Sequence, residues 1–174
     1  MNKSSKILQN QRGSIMLIAL LLMALLTIIG ISALDISEIE QKIASNDRIV
    51  KKNFYLAEAS ALEATSRLES LPSDEIAPDA AAPPAWLNLN SDFDAANLGN
   101  WVVGDADPAN DTAAVADIDS RTRFSVVYEG IAAGGSLDMS ASQVHQYGVF
   151  GLYDNPTGAF RGQSIVEVGY RRRF

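Results

Sequence analysis

The distribution of apolar residues sets the N-terminal end of this chain apart. An uncharged apolar run occupies residues 14–34, and only a short leader precedes it. About 20 apolar residues suffice to cross the ~30 Å hydrocarbon core of a membrane as a helix. A secretory signal has a shorter apolar core, of about 7–15 residues, followed by a small-residue cleavage site. Here the small residue, Gly13, comes before the apolar run, so cutting after it would remove the leader and keep the membrane segment.

The charges that flank this run predict its orientation. Lys3, Lys6 and Arg12 precede it, whereas Asp35 and Glu38 follow it. Because basic flanks stay in the cytoplasm, we expect the leader inside and the rest of the chain outside. A single-span membrane protein that is never cleaved remains an alternative on this evidence alone.

An apolar stripe with helical spacing continues beyond the membrane segment. Its positions lie mostly three or four residues apart, as on one face of a helix, namely Ile36, Ile39, Ile43, Val50, Phe54, Ala57, Ala61, Ala64, Leu68 and Leu71. Proline is absent from residues 14–71, and Pro72 ends the pattern. We therefore predict one long helix with a membrane part at residues 14–34 and an amphipathic part at residues 35–71, packed along its apolar stripe.

The rest of the chain predicts a linker and a small sheet. Residues 72–99 begin with an alanine- and proline-rich stretch without apolar periodicity, typical of a surface connection with loops. Strands are predicted at residues 122–129, 143–152 and 164–173, with a further short strand at residues 100–103 and a turn at residues 154–158. Val166, Val168 and Tyr170 alternate with Glu167 and Arg171, as in a half-exposed antiparallel strand. The expected fold class is α+β, with the long helix packed on a sheet head at residues 100–174.

Composition restricts the functions that such a chain can have. Its net charge is −7, and removing the three basic residues of the leader lowers this to −10. So acidic a product would be repelled by nucleic-acid phosphates, and we expect no nucleic-acid partner. The chain has no cysteine, which excludes disulfides, thiolate metal sites and cysteine nucleophiles.

Candidate chemistry is sparse. The single histidine, His145, lies inside a predicted strand, where a surface or packing role is the usual one. No serine has the surroundings of a nucleophile elbow, so we predict no enzyme activity and no cofactor. Asp105, Asp107 and Asp111 are the one candidate metal site, because calcium prefers several carboxylate oxygens. The glycine and the closing glutamate of an EF-hand are absent there, and a hydrated loop is the alternative.

Three sequence blocks resemble the PilX-type minor pilins of type IV pili. The first is the junction at residues 11–22, Q-R-G-S-I-M-L-I-A-L-L-L. The others are I-E-Q-K-I-A-S-N at residues 39–46 and F-Y-L-A-E-A at residues 54–59. In that family the corresponding blocks are approximately L-E-E-K-M-A-G-N and A-F-x-A-A-E-A-G, at the same separation. Ser60 stands where the family usually has glycine.

The resemblance implies a processing site and an assembly position. A prepilin peptidase would cut between Gly13 and Ser14 and methylate the new amine of Ser14. Most pilins have a glutamate five residues into the mature chain, which is thought to meet the N-terminal amine of a neighbouring subunit. This chain has Ile18 there, as is common among PilX-type pilins and K-type pseudopilins, which resemble components of tip complexes.

The function implied is that of a structural minor pilin in a complex that primes or caps a pilus. Its partners would be other minor pilins, the major pilin, the inner-membrane assembly platform, the prepilin peptidase and a large tip adhesin. The protein would start in the inner membrane with its C-terminal head outside the cytoplasm and then enter the pilus at the cell surface. A minor pseudopilin of a type II secretion system is the alternative, and a single-span anchored periplasmic protein is a third.

Overall fold

The computed structural model describes residues 11–89, 93–107, 110–132, 143–158 and 160–173. They form a long helix followed by a sheet, which confirms the predicted α+β class. The elements in chain order are α1 (Gln11–Ser70), α2 (Ser73–Ile76), β1 (Leu87–Asn88), β2 (Ala114–Val115), β3 (Thr122–Ile131), β4 (Val144–Asn155) and β5 (Gly162–Arg173). A turn of 3-10 helix occupies Leu98–Asn100.

The chain divides into two compact units, residues 1–47 and residues 48–174. The described part of the first unit is the N-terminal portion of α1, and its large apolar side chains are exposed. This portion is rich in leucine, which is a strong helix former, and Lys42 pairs with Glu38 one turn earlier at 2.7 Å. Helix α1 is long and apolar enough to cross a membrane by length and composition.

The second unit contains the C-terminal portion of α1 and the sheet. The strand order is β1-β3-β4-β5, and β2 also pairs with β3. The β3–β4 and β4–β5 pairs are antiparallel, whereas the two-residue pair of β1 with β3 is parallel. The three long strands were predicted from sequence, and each extends a few residues beyond at least one predicted end.

The main core lies between α1 and one face of the sheet. Alternate residues of β3 and β4 supply this face, as the period of two in a strand requires. The fully or nearly buried members of the cluster are Ala61, Ala64, Leu68, Ile76, Leu87, Ala116, Phe124, Val126, Tyr147 and Val149. Leu71, just after the end of α1, packs against its border, and within the chain the apolar stripe is buried from Ala57 onward.

A second, smaller cluster covers part of the opposite face of the sheet. It joins Trp101 and Ala113 to Leu152 of β4, with Phe93 and Phe150 packed against it. The Phe93 and Trp101 rings meet edge-on at 5.3 Å, and this contact helps to hold the loop region against the sheet.

The prediction of a strand at residues 100–103 is wrong. Asn100 ends the 3-10 turn, and residues 101–103 form no strand. Trp101 turns into the second cluster, and the backbone oxygen of Val102 accepts from the amides of both Thr112 and Ala113. These hydrogen bonds to Val102 take the place of the strand pairing that the apolar residues 101–103 suggested.

Candidate functional site: the processing junction, the helix stripe and the head

The predicted processing residues lie within α1. Gly13 and Ser14 are both exposed, and a Cβ placed on Gly13 would meet no neighbouring atom within 4 Å. The leader residues 1–10 are outside the described part of the chain. The open surroundings would let a peptidase reach the peptide bond between Gly13 and Ser14, while cleavage itself stays a prediction.

Ile18 is half-exposed on the apolar portion of α1, with 55% of its surface accessible. Its neighbours along the helix, from Ile15 to Leu26, are apolar residues that are exposed in the same way. An uninterrupted exposed apolar surface on a single chain needs either lipid or other apolar helices to cover it. Ile18 offers those neighbours no carboxylate.

The apolar stripe of α1 changes from exposed to buried at the start of the head. Ala57 is fully buried, whereas five earlier positions in the stripe are exposed by 45% to 65% within the chain, namely Ile36, Ile39, Ile43, Val50 and Phe54. The single chain therefore buries the stripe only along its C-terminal part. Packing of the five exposed positions against other subunits stays a prediction.

Small side chains bring α1 and β4 into close contact. A Cβ placed on Gly151 would come within 2.1 Å of the Ala57 backbone oxygen and 2.7 Å of the Ser60 Oγ. Ser60 is fully buried, and its hydroxyl donates to the Ala57 oxygen at 2.8 Å. Ala57 of the Phe-x-x-Ala-Glu block, together with Ser60 and Ala61, thus forms the surface that Gly151 approaches. Gly151 was not singled out from the sequence, since only tertiary contact shows its role.

The β4–β5 turn is held on the helix where burial begins. The Lys52 ammonium lies 3.7 Å from the centre of the Phe160 ring, and a Cβ on Gly162 would meet the Asn53 amide nitrogen at 2.6 Å. Asn53 is 4% exposed and Gly162 has φ +146°, a conformation that favours glycine. These two helix residues lie beside the apolar stripe, so a search for periodic apolar positions passes over them.

Charged groups connect α1 to the loop before β3. The Glu63 carboxylate accepts from the backbone amide of Asp117 through both oxygens, at 3.1 and 2.9 Å. The Arg67 guanidinium binds Glu63 at 2.7 Å and Asp117 at 3.2 Å, and it lies over the Phe124 ring. The loop is thus connected to α1 both by the backbone contact of Glu63 and by the ion pair between Arg67 and Asp117.

The arginines that end β5 differ in their contacts. Arg172 faces the helix side of the sheet and donates to the backbone oxygen of Leu68 at 2.6 Å. A cation is favourable there, because the last carbonyls of a helix lack intrahelical partners and carry partial negative charge. Arg171 and Arg173 point to the opposite, exposed face. In the sequence Arg172 is only the middle residue of a basic triplet, and its separate role follows from its strand position.

His145 is a buried packing residue, as the sequence indicated. Its Nδ1 lies 3.0 Å from the Tyr128 hydroxyl, and 8% of its surface is exposed. Burial lowers the pKa of His145, although the charge of Asp79 acts in the opposite direction. In the strand ladder the partner of His145 on β5 is Arg172. Because Arg172 is positively charged, it disfavours a second positive charge on the imidazole.

The calcium candidates form a loop held by its own hydrogen bonds. Asp105 accepts from the backbone amide of Asp107 at 2.9 Å, and Asp111 accepts from the amide of Asp105 at 2.9 Å. The bond from Asp107 is the main reason that the pKa of Asp105 is lowered. In the described part of the chain, no three acidic or histidine side chains are grouped as metal ligands would be.

The long, apolar N-terminal helix and the sheet after it are the arrangement of a pilin-like protein. Residues 12–61 match the model of the PilX N-terminal family. This match confirms the resemblance to PilX-type pilins over the N-terminal part of the chain, including the junction and both downstream blocks. No curated protein and no solved structure matched the chain.

Proposed function

We propose that this protein is a minor pilin of a type IV pilus that belongs to the complex at the fibre tip and helps to start assembly. The observation that carries the proposal is Ile18, an apolar residue where most pilins have the glutamate that neutralises a neighbouring amine. An unpaired ammonium in apolar surroundings is costly. A subunit without that carboxylate is suited to a position where no such amine has to be paired.

Processing comes first in this function. Cleavage after Gly13 removes Lys3, Lys6 and Arg12, and methylation then modifies the amine of Ser14. Each leader charge would cost about 2.5–3.5 kcal/mol at the centre of a bilayer. An uncleaved leader therefore holds the N-terminus in the cytoplasm, whereas the mature chain can leave the membrane.

Assembly uses the surface that the single chain leaves uncovered. The exposed stripe residues Ile36, Ile39, Ile43, Val50 and Phe54 continue the face that the head buries from Ala57 onward. In the membrane the apolar N-terminal segment is covered by lipid, and in a fibre by the helices of other pilins. The partners proposed are other minor pilins, the major pilin, the assembly platform and a tip adhesin.

Two measurements on sheared fibres test the tip position. Quantitative mass spectrometry should find this protein rare relative to the major pilin, and gold labelling of the head should mark fibre ends. Loss of the protein should reduce the number of pili and leave their thickness unchanged. Labelling along the whole shaft at the abundance of the major pilin would refute the tip position.

A further inference from the structure

The two edges of the sheet differ in how they are covered. At one edge, β3 is flanked by β1 and β2, which have two residues each. At the other edge, β5 runs for 12 residues and pairs with β4 over its whole length. Within the described residues, no strand pairs with the outer side of β5. Its outward backbone N–H and C=O groups form a row that can pair with another strand.

Strand β5 lacks most of the devices that block edge pairing. Natural edge strands are commonly short, bulged or interrupted by proline. From Asn155 opposite Gly162 to Val144 opposite Arg173, β5 pairs with β4 without a register shift, and it contains no proline. Between Ser164 and Tyr170 its only charge is Glu167. This stretch is regular enough for an extended segment to add to the sheet.

The side chains of β5 define what such a segment should contain. Val166, Val168 and Tyr170 lie on the helix side and are only partly buried, and among the described residues no strand lies beyond them at the outer edge. Cross-strand pairs with β-branched or aromatic residues would cover them. Arg171 and Arg173 lie on the other side and are exposed, and among the described residues neither has an ion pair. Opposite charges directly across a strand pair are stabilising, so the arginines select acidic partners.

Pairing with a second copy of β5 meets two obstacles. In-register parallel pairing would place Glu167 opposite Glu167, and Arg171 opposite Arg171, and like charges across strands are destabilising. In an antiparallel pair, at most one of Arg171 and Arg173 could face an acidic residue, because Glu167 is the only acid in β5.

We propose that β5 is a docking edge for an extended strand donated by a different protein, with acidic residues opposite Arg171 and Arg173 and apolar β-branched residues opposite Val166 and Val168. The added strand extends the sheet beyond β5 through backbone hydrogen bonds. The exposed arginines select its charge, and they disfavour basic segments. This inference goes beyond the assembly role proposed above, and the binding test below does not depend on that role.

Synthetic ten-residue peptides and the full chain in detergent micelles test the proposal. In each peptide valine alternates with polar residues, and two of the polar residues are glutamates. The two glutamates lie at the N-terminal end of one peptide and at the C-terminal end of the other. At least one should bind, and hydrogen exchange should slow at the outward amides of β5. Lysine in place of glutamate, or methylation of alternate peptide amides, should weaken binding about tenfold or more, which corresponds to 1.4 kcal/mol.

A double variant, Arg171→Glu with Arg173→Glu, should invert the charge preference so that the lysine peptide binds better. Arg48→Glu, at an exposed arginine of α1, is the matched control and should leave the preference unchanged. Absence of binding by both acidic peptides would overturn the proposal. Equal binding of the methylated peptides, or protection that maps away from β5, would overturn it as well. So would self-association of the chain through β5.

Discussion

Gly151 of β4 faces the backbone of α1 so closely that a Cβ at its position would lie 2.1 Å from the Ala57 oxygen. The three nearest atoms are the backbone oxygen of Ala57, the Oγ of Ser60 and the backbone nitrogen of Ala61. Because backbone cannot move aside as a flexible side chain can, this glycine sets the separation between helix and sheet.

Replacing Gly151 by alanine should therefore destabilise the head. Overpacking of a well-filled core typically costs about 1–3 kcal/mol. For a protein of this size the melting temperature should fall by about 2–4 °C for each kcal/mol. Thermal unfolding followed by near-ultraviolet circular dichroism measures the effect. Gly169→Ala is the control, since a Cβ there meets nothing within 4 Å, and an equal loss in both variants would contradict the close-contact explanation.

Arg172 should contribute to stability more than its neighbours in the basic triplet. Its guanidinium donates to the Leu68 oxygen at the end of α1, and hydrogen bonds of charged groups contribute about 1.5–3 kcal/mol. We expect Arg172→Gln to lower the free energy of unfolding by about 1–2 kcal/mol. Arg171→Gln, at an exposed position, should change it by less than about 0.5 kcal/mol. Urea unfolding of both variants measures the difference, and equal midpoints would show that the Leu68 contact does not stabilise the head.

These two predictions show where sequence patterns stop being informative. The helix, its end at Pro72 and the three long strands follow from local periodicity, and the structure agrees with them. The positions of Gly151, Asn53 and Arg172 depend on contacts between elements far apart in sequence, which periodicity does not encode. The apolar stripe was predicted correctly as a helical face, but its pattern could not show that the head covers it only from Ala57 onward.

The stability of the head should decrease in mild acid because of His145. Burial lowers the pKa of His145 below its ordinary value of 6.5, so the unfolded chain binds a proton more readily than the folded one. Stability from this group is present above pH 6.5 and is lost as the pH falls through the pKa of the folded state. Tyr128 and Arg172 face the imidazole from the adjacent strands, and the negative charge of Asp79 offsets the effect of burial on the pKa of His145 only in part.

A comparison of melting temperatures at pH 7.5 and pH 5 tests this effect. His145→Gln keeps a polar group near Tyr128 but cannot be protonated, so it should reduce the loss between the two pH values. The exposed variant Arg48→Glu serves as a control for general charge effects. If His145→Gln and the original chain lose the same amount, the acid sensitivity arises from other groups.

Processing should depend on the size of residue 13. Replacing Gly13 by tryptophan should leave an uncleaved precursor in the inner membrane. The junction resembles prepilin cleavage sites, in which a small residue precedes the cut, and tryptophan is too large for that position. Mass spectrometry of the membrane fraction would then find residues 1–13 still attached and no methyl group on Ser14. Gly13→Ala, a small-for-small change, should be cleaved at least in part. An unchanged mature mass for the tryptophan variant would contradict the prepilin assignment.

The last prediction concerns Ile18. Replacing it by glutamate would supply the carboxylate that most pilins use to pair a neighbouring amine, and this would remove the cost of an unpaired ammonium. We therefore expect Ile18→Glu to enter the shaft and to increase its abundance in sheared fibres relative to the original chain. Ile18→Gln is the matched control, because its similar size carries no negative charge to pair with the amine. Membrane levels of both variants must be compared, since a charge in the bilayer can reduce insertion. At equal membrane levels, two outcomes would contradict the prediction: the abundance of Ile18→Glu in fibres does not rise, or it rises equally in both variants. Either outcome would show that the missing carboxylate does not keep this subunit out of the shaft.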